Sequence, residues 1–522
     1  MTKRTLGLLL IMLAWVAPAE AQRRPLNNAR VENGTDVRLA DDALLGKLSN
    51  GRVVLPSDNL DPQAVSSIQV SPRFCPYPQL NGTDSNNACV QSAINYACSL
   101  ISSTNGTKVA GRLIFGRATY RLTGVTVPKS CAGLVLEGQG SGGTGGTSIY
   151  SDEGCTAPVI NFYPDATENY VYGGGVRDLH FFNNRAQNGG FTRTTSCLKP
   201  LIQANYGRDM FFLNNTSLSP YTMYKMVGGI NILIDGVGVN VALPNSPGVF
   251  EFVGYGARPD ADGQARRQDV INLNNVVFFS AAPPMGEQYA KGIWWHGFSA
   301  SLRTNNVAFT TASTALKVDC TTPGAPTNGT PLEIGACPSF AVFNDFETEC
   351  AGDNCIDISD AYNMQFNFLY VACYARTSTA TPHTSGCNNG VRVRNDRFRG
   401  TADFTINGGF VNNAQASGIN FEGYKLTVTG GTEMYGNNAA NVGGSDITLE
   451  APVSGAVSGS HIITGNKFCT GPVANTLSET ALNVIGSSHD YIVFANNVLR
   501  GCGAGILGGV GPNGVLGPNA GP

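Results

Sequence analysis

Ile271-Asn-Leu-Asn-Asn-Val-Val-Phe278 and, further along the chain, Leu302-Arg-Thr-Asn-Asn-Val-Ala-Phe309 are two copies of one short phrase: a strand that runs into a pair of asparagines and out again on apolar residues. Val342-Phe-Asn-Asp-Phe346, Phe404-Thr-Ile-Asn-Gly-Gly-Phe410 and Ile492-Val-Phe-Ala-Asn-Asn-Val498 repeat it. After each comes an apolar–x–apolar partner: Ile293-Trp-Trp-His296, Leu316-Lys-Val-Asp319, Ile356-Asp-Ile-Ser359, Ile419-Asn-Phe-Glu422 and Ile506-Leu507. From Leu134 onward about eleven such units recur, at intervals of roughly 22 to 43 residues, which is the mark of a solenoid. Strands this short cannot bury a face alone, whereas stacking each on its equivalent one coil away buries a continuous interior. The repeated Asn is a turn residue whose side chain can also bond its equivalent in the next coil. The fold class is therefore all-β, a parallel β-helix. A propeller calls for longer and more uniform blades of roughly 40 to 50 residues.

Composition agrees. Of 522 residues 42% are hydrophobic but only 14% charged, and Gly is abundant at 64 residues, against about 25% charged residues in an ordinary globular chain. Many Gly and Asn suit turns with positive φ. Formal net charge is −3, with no Lys/Arg run, so a nucleic-acid partner is excluded.

Met1-Thr-Lys-Arg4, the apolar Leu6 to Ala17 and Ala19-Glu-Ala21 read as a secretory signal over residues 1–21. The apolar stretch is well short of the ~20 residues that span a bilayer, so no membrane insertion is expected. All fourteen Cys follow it, and an even count in an exported chain favours disulfides, with the protein extracellular or periplasmic. Cys320 with Cys337, and Cys373 with Cys387, each bracket a loop between successive strands and are expected to pair. Cys350-Ala-Gly-Asp-Asn-Cys355 has no second Cys or His pair at matching spacing, so no metal site is expected.

Residues 22–70 read as an extended lead-in, 71–508 as the β-helix and 509–522, rich in Gly and Pro, as a flexible tail. Val90, Ile94 and Ala97 lie at helical spacing after the N-cap candidates Asp84, Ser85 and Asn86. Next come Gly111-Arg-Leu-Ile-Phe115, Thr119-Tyr-Arg-Leu122 and Leu136-Glu-Gly-Gln-Gly140. This opening module, a short capping helix and then Gly-punctuated strands, resembles that of the pectate-lyase superfamily of right-handed parallel β-helices. With the coils the resemblance spans roughly residues 75 to 508. It implies a right-handed coil, in line with the strong preference of parallel crossovers, and leaves the reaction open, since that superfamily includes lyases, hydrolases, epimerases and tailspikes.

Side chains alternate in and out along a strand, so the partner strands can be aligned on their inward residues. One outward column then reads Glu251, Trp294, Lys317, Asp357, Arg392, Asn420, Thr448, Asn483, and a second Val253, His296, Asp319, Ser359, Arg394, Glu422, Glu450, Ile485. As a sugar-binding groove the columns offer Trp294 as an aromatic face, Lys317, Asp357, Arg392, Arg394 and Glu422 for polar contacts with an acidic polysaccharide, and His296 beside Asp319 for proton transfer. As a plain surface they form an ion-pair ladder. Gly352-Asp-Asn-Cys-Ile-Asp-Ile358 is similar to the Gly-Asp-Asp-Cys-Ile-Ala-Ile motif of polygalacturonase-type glycoside hydrolases, and Asn389-Gly-Val-Arg-Val-Arg394 to their Asn-Gly-Val-Arg-Ile-Lys. That resemblance implies Asp353 as general acid, with Arg392 and Arg394 on the substrate. The chain departs from the pattern at Asn354, and it lacks the family's Gly-His-Gly and Asn-Thr-Asp coils. Glu422 and Glu450 are neighbouring acids near the ~5 Å separation of retaining glycosidases.

Two functions follow as expectations. One is an exported hydrolase or lyase acting on a uronate-containing polysaccharide, with no cofactor, or with calcium if it is a lyase. The other is a catalytically silent surface, adhesion or matrix protein.

Overall fold

The computed structural model describes residues 30–32, 36–38, 44–49, 52–54, 67–70, 74–76, 81–100, 103–104, 107–108, 111–140, 146–166, 170–183, 196–254, 268–280, 288–320, 337–352, 354–373, 386–394, 403–438, 443–451, 459–469, 479–486, 489–511 and 513–521. The chain divides into two units, Met1–Val65 and Ser66–Pro522. In the first, where the sequence reads as an extended lead-in, Arg30–Glu32, Asp36–Arg38, Leu44–Ser49 and Arg52–Val54 form a four-stranded antiparallel sheet. The signal segment lies outside the described residues.

The second unit is a stack of parallel strands. One sheet has thirteen strands, from Val125–Val127 through Phe250–Gly254, Ile293–Gly297, Leu316–Asp319, Asn354–Ser359, Asn389–Arg394 and Ser417–Phe421 to Ala504–Leu507. A second sheet of 23 strands holds the longer ones, among them Gln268–Ser280, Ser299–Ala312, Ser339–Cys350, Tyr362–Cys373 and Asp403–Asn412. Each strand pairs with its equivalent in the next coil, as in Ile271↔Leu302 and Phe278↔Phe309.

The asparagine phrase turns a corner inside each long strand. Asn275, Asn306, Asp345, Phe368 and Gly408, equivalent by register, all have positive φ, between 47° and 75°. Asn, Asp and Gly tolerate this region; Phe368 does not, and its side chain stands 67% exposed. The preceding residue makes the expected ladder: Asn367 Nδ2 donates to Asn344 Oδ1 (2.8 Å), and Asn407 Nδ2 to Asn367 Oδ1 (3.1 Å).

Inward rings fill the stack. Phe278, Phe309, Phe343, Phe346 and Phe366 are fully buried; Phe278 and Phe309 lie 5.3 Å apart, and Phe343 stacks on Phe366 at 4.4 Å with the planes 8° apart. The helix Asn87–Leu100 buries Val90, Ile94 and Ala97 against the first coils. Asn86 accepts its first backbone bond, from Val90 N. All fourteen Cys are paired: Cys75–Cys89, Cys98–Cys131, Cys155–Cys197, Cys320–Cys337, Cys350–Cys355, Cys373–Cys387 and Cys469–Cys502. Among the described residues no helix is long and apolar enough to cross a membrane. The Gly/Pro-rich end continues the stack, since Val515–Leu516 pairs with Val493–Phe494 and Ala520 bridges Val498; backbone pairing needs no large side chains.

Candidate functional site

The thirteen-strand sheet sets the candidate site, because its register fixes which outward side chains are neighbours. The first column runs as aligned: Glu251↔Trp294, Trp294↔Lys317, Lys317↔Asp357, Asp357↔Arg392, Arg392↔Asn420, Asn420↔Thr448, Thr448↔Asn483. It also begins earlier, with Lys225↔Glu251. Val253↔His296, His296↔Asp319 and Ser359↔Arg394 hold in the second column. Successive coils are ~4.8 Å apart.

Polar contacts do not simply climb the columns. His296 Nε2 lies 3.3 Å from Glu251 Oε1, Trp294 Nε1 donates to Asp319 Oδ2 (3.2 Å), Arg394 Nη2 lies 3.7 Å from Asp357 Oδ1, and Asn420 Nδ2 donates to Glu450 Oε1 (2.6 Å). All four step one coil forward and two residues along, a diagonal within reach of long or aromatic side chains that lean along the strand. His296 and Asp319 are register neighbours as aligned, and Val393↔Phe421 brings Arg394 level with Glu422; to these the diagonals add Glu251 on His296 Nε2 and Asp357 on Arg394. Glu422 follows the strand Ser417–Phe421, half-buried, its N–H on Val393 O.

His296, Glu251 and Asp319 face outward yet are only 5%, 6% and 7% exposed. Burial pushes the Glu251 carboxyl up, but the hydrogen bond from His296 and the charge of Lys225, 2.9 Å away, outweigh it and hold the group below its ordinary value. An ionised Glu251 can only accept, so the contact orients His296 with a hydrogen on Nε2. The imidazole stacks on Trp294, with ring centres 4.1 Å apart and planes 15° apart, so one face of the indole is already occupied. Lys317 Nζ sits 5.1 Å from the Trp294 ring centre and 3.2 Å from Asp319 Oδ2. Burial raises the Asp357 carboxyl, and the charges of Arg394, Arg392 and Lys317 only partly offset it.

Asp353 lies outside the described residues. Its motif neighbours have packing roles. Asn389 Nδ2 donates to buried Asn354 Oδ1 (2.9 Å) in the preceding coil. A Cβ at Gly352 would collide with the Ser313 carbonyl oxygen, and one at Gly390 with Val411.

Lys225 was not aligned from the sequence, although Tyr224-Lys-Met226 carries the same apolar–x–apolar signal. A second unforeseen cluster is buried Asp446 with Glu479. Asp446 accepts from Asn437 Nδ2 (2.7 Å) and Cys469 N (3.0 Å), and Glu479 from Asn437 N (3.1 Å). Cys469 completes a metal-like trio by position, but its sulfur is bonded to Cys502.

No protein-family model matches the chain, and no curated protein does. Among solved structures it is similar to a mannuronan C-5 epimerase A-module of Azotobacter vinelandii, 13% identical over 87% of this chain and 99% of that one, TM-score 0.45. It is similar also to a surface adhesin of Streptococcus pneumoniae, 12% identical over 84% and 93%, TM-score 0.46. A third is tailspike protein 3 of bacteriophage CBA120, 12% identical over 97% and 66%, TM-score 0.44. On its own strand pairing, the unit Ser66–Pro522 is a parallel β-helix protein.

Proposed function

We propose that this is an exported, carbohydrate-active protein that holds an acidic polysaccharide along the outer face of the thirteen-strand sheet and cleaves it by β-elimination. The observation that carries the reading is the buried, outward-facing Glu251–His296 pair in line with Lys317, Arg392 and Arg394. Elimination from a uronate needs a base for the C5 proton and positive charge on the carboxylate to stabilise the carbanion that develops. His296 Nδ1 takes the proton, and Glu251 stabilises the imidazolium that forms. The C4–O bond then breaks as the C4–C5 double bond forms, the departing oxygen takes a proton from water, and His296 returns its proton to solvent. Lys317, one coil beyond His296, supplies positive charge for the carboxylate, and Arg392 with Arg394 hold uronates two coils further on. Asp319, bound to Trp294 Nε1, fixes the indole that backs His296. Export is supported by seven disulfides and by the signal-like start of the chain.

The test is a panel of polyuronates, assayed with added calcium and with chelator. The expected result is absorbance at the unsaturated-uronate band, lost in His296→Asn and shifted in pH profile in Glu251→Gln. New reducing ends without that absorbance would replace elimination by hydrolysis. No product on any polymer would leave the silent surface protein.

A further inference from the structure

The longer sheet has an outward face of its own, on the strand halves that follow the positive-φ corner. There the register runs Glu347↔Tyr370 and Tyr370↔Phe410, and in the column beside it Glu349↔Ala372, Ala372↔Asn412 and Asn412↔Tyr435. Tyr370, Phe410 and Tyr435 are only partly buried, and Glu347 is exposed. Phe410 lies 3.8 Å from Tyr370 and 6.5 Å from Tyr435 between ring centres, so the three rings make a diagonal over three coils. Asn412 Nδ2 donates to the Tyr435 hydroxyl (2.9 Å), which fixes that ring.

What sets these rings apart from the core is burial: Phe343 and Phe366 are fully buried, whereas Tyr370, Phe410 and Tyr435 each keep part of their surface exposed, with Phe410 and Tyr435 within 23° of parallel. Among the described residues no cation pairs with Glu347 or Glu349. Burial first, and then the charges of Glu349 and Glu347, push the Tyr370 hydroxyl up, so it keeps its proton and remains a donor.

We propose that this face is a second glycan-binding strip, for strands of hexopyranose units that carry no carboxylate. Rings a coil or two apart along the axis suit the apolar C–H faces of successive sugar units, an aromatic contact that adds to the area buried. Glu347 and Glu349 accept hydrogen bonds from sugar hydroxyls and repel uronates. The strip thus selects against the charge that Lys317, Arg392 and Arg394 attract on the other sheet. It goes beyond the reading of the first face, and neither depends on the other.

The experiment is calorimetric titration of the whole chain with cellohexaose, mannohexaose, maltohexaose and hexagalacturonate. At least one neutral hexamer is expected to bind, with affinity about tenfold weaker in Tyr370→Ala and in Phe410→Ala and hexagalacturonate binding as in the parent. Binding of none of the three neutral hexamers would overturn the proposal. So would parent-like affinity in both variants, or loss of hexagalacturonate binding in Tyr370→Ala. If an alanine variant does not fold, Glu347→Gln with Glu349→Gln replaces it; severalfold weaker neutral-glycan affinity is expected, and parent-like affinity overturns the strip.

Discussion

Glu479 and Asp446 place two carboxyl groups within one buried hydrogen-bond cluster, an arrangement that strains the protein as pH rises. Burial, and then the charge of Glu479, push Asp446 well above its ordinary value, and burial raises Glu479 too. A raised folded-state value means that the protonated pair is the favoured one. Its stabilisation is complete below the unfolded value of about 4 and is lost as pH climbs through the raised one. Glu479→Gln keeps an acceptor for Asn437 N and gives Asp446 a donor, so the variant should melt above the parent at pH 8. The gain is on the order of 1 kcal/mol, and the two melting curves should converge near pH 4. Equal midpoints at pH 8 would refute the pair. Asp446 and Glu479 stand just before the paired strands Ile447–Leu449 and Thr480–Val484 of successive coils, and the sequence does not show that both side chains turn inward there. The groove residues were more legible. Alternation and register are local, so Trp294, His296, Lys317, Asp319, Asp357, Arg392 and Arg394 fall on one face by counting alone. Which of them touch was not legible, because the lean that carries His296 to Glu251 and Arg394 to Asp357 belongs to side chains in a folded sheet.

A coil is held by what it stacks on, and Phe309 shows how. It is fully buried, with Phe278 at 5.3 Å in the coil before and Phe346 at 5.7 Å in the coil after. Phe309→Ala removes the middle ring of that row, and neighbours fixed by backbone ladders on both sides cannot close the space. A loss of ~3–5 kcal/mol follows, read as a lowered thermal or denaturant midpoint; an unchanged midpoint would mean that the ring is not in the core. The strands themselves were readable because Asn, Gly and Asp mark the corners. Where the corner residue is Phe368 the sequence gives no sign of the turn, and only equivalence with Asn275 and Asn306 identifies it. The pairings Cys320–Cys337 and Cys373–Cys387 were readable from the loops they bracket. Cys155–Cys197, 42 residues apart, was not. The antiparallel strands between Arg30 and Val54 were missed as well: Arg30-Val-Glu32 and Asp36-Val-Arg38 alternate over three residues only, too short a signal to mark a strand, and such strands exist by pairing.

Across the whole β-helix, the stack turns a sequence repeat into two outward faces of different chemistry. The thirteen-strand sheet carries Lys317, Arg392, Arg394 and the buried His296–Glu251 pair; the longer sheet carries Tyr370, Phe410, Glu347 and Glu349. Repetition was legible here because each coil repeats the same strand–corner–partner pattern, although the loops between them vary in length. The difference between the faces was not, since residues such as Tyr370 and Arg392 look alike as outward positions until the strands are assigned to sheets. Whether the first face holds an acidic polysaccharide is decided by titrating hexagalacturonate, hexaguluronate and hexamannuronate into the parent and into Arg392→Ala/Arg394→Ala, at low and at high salt. The parent is expected to bind at least one of them, and the double variant to lose ~1.5–3 kcal/mol of that affinity per charge-assisted hydrogen bond removed, a difference that shrinks as salt rises. Binding of none of the three by the parent, or equal binding by the double variant, would contradict an acidic-glycan face.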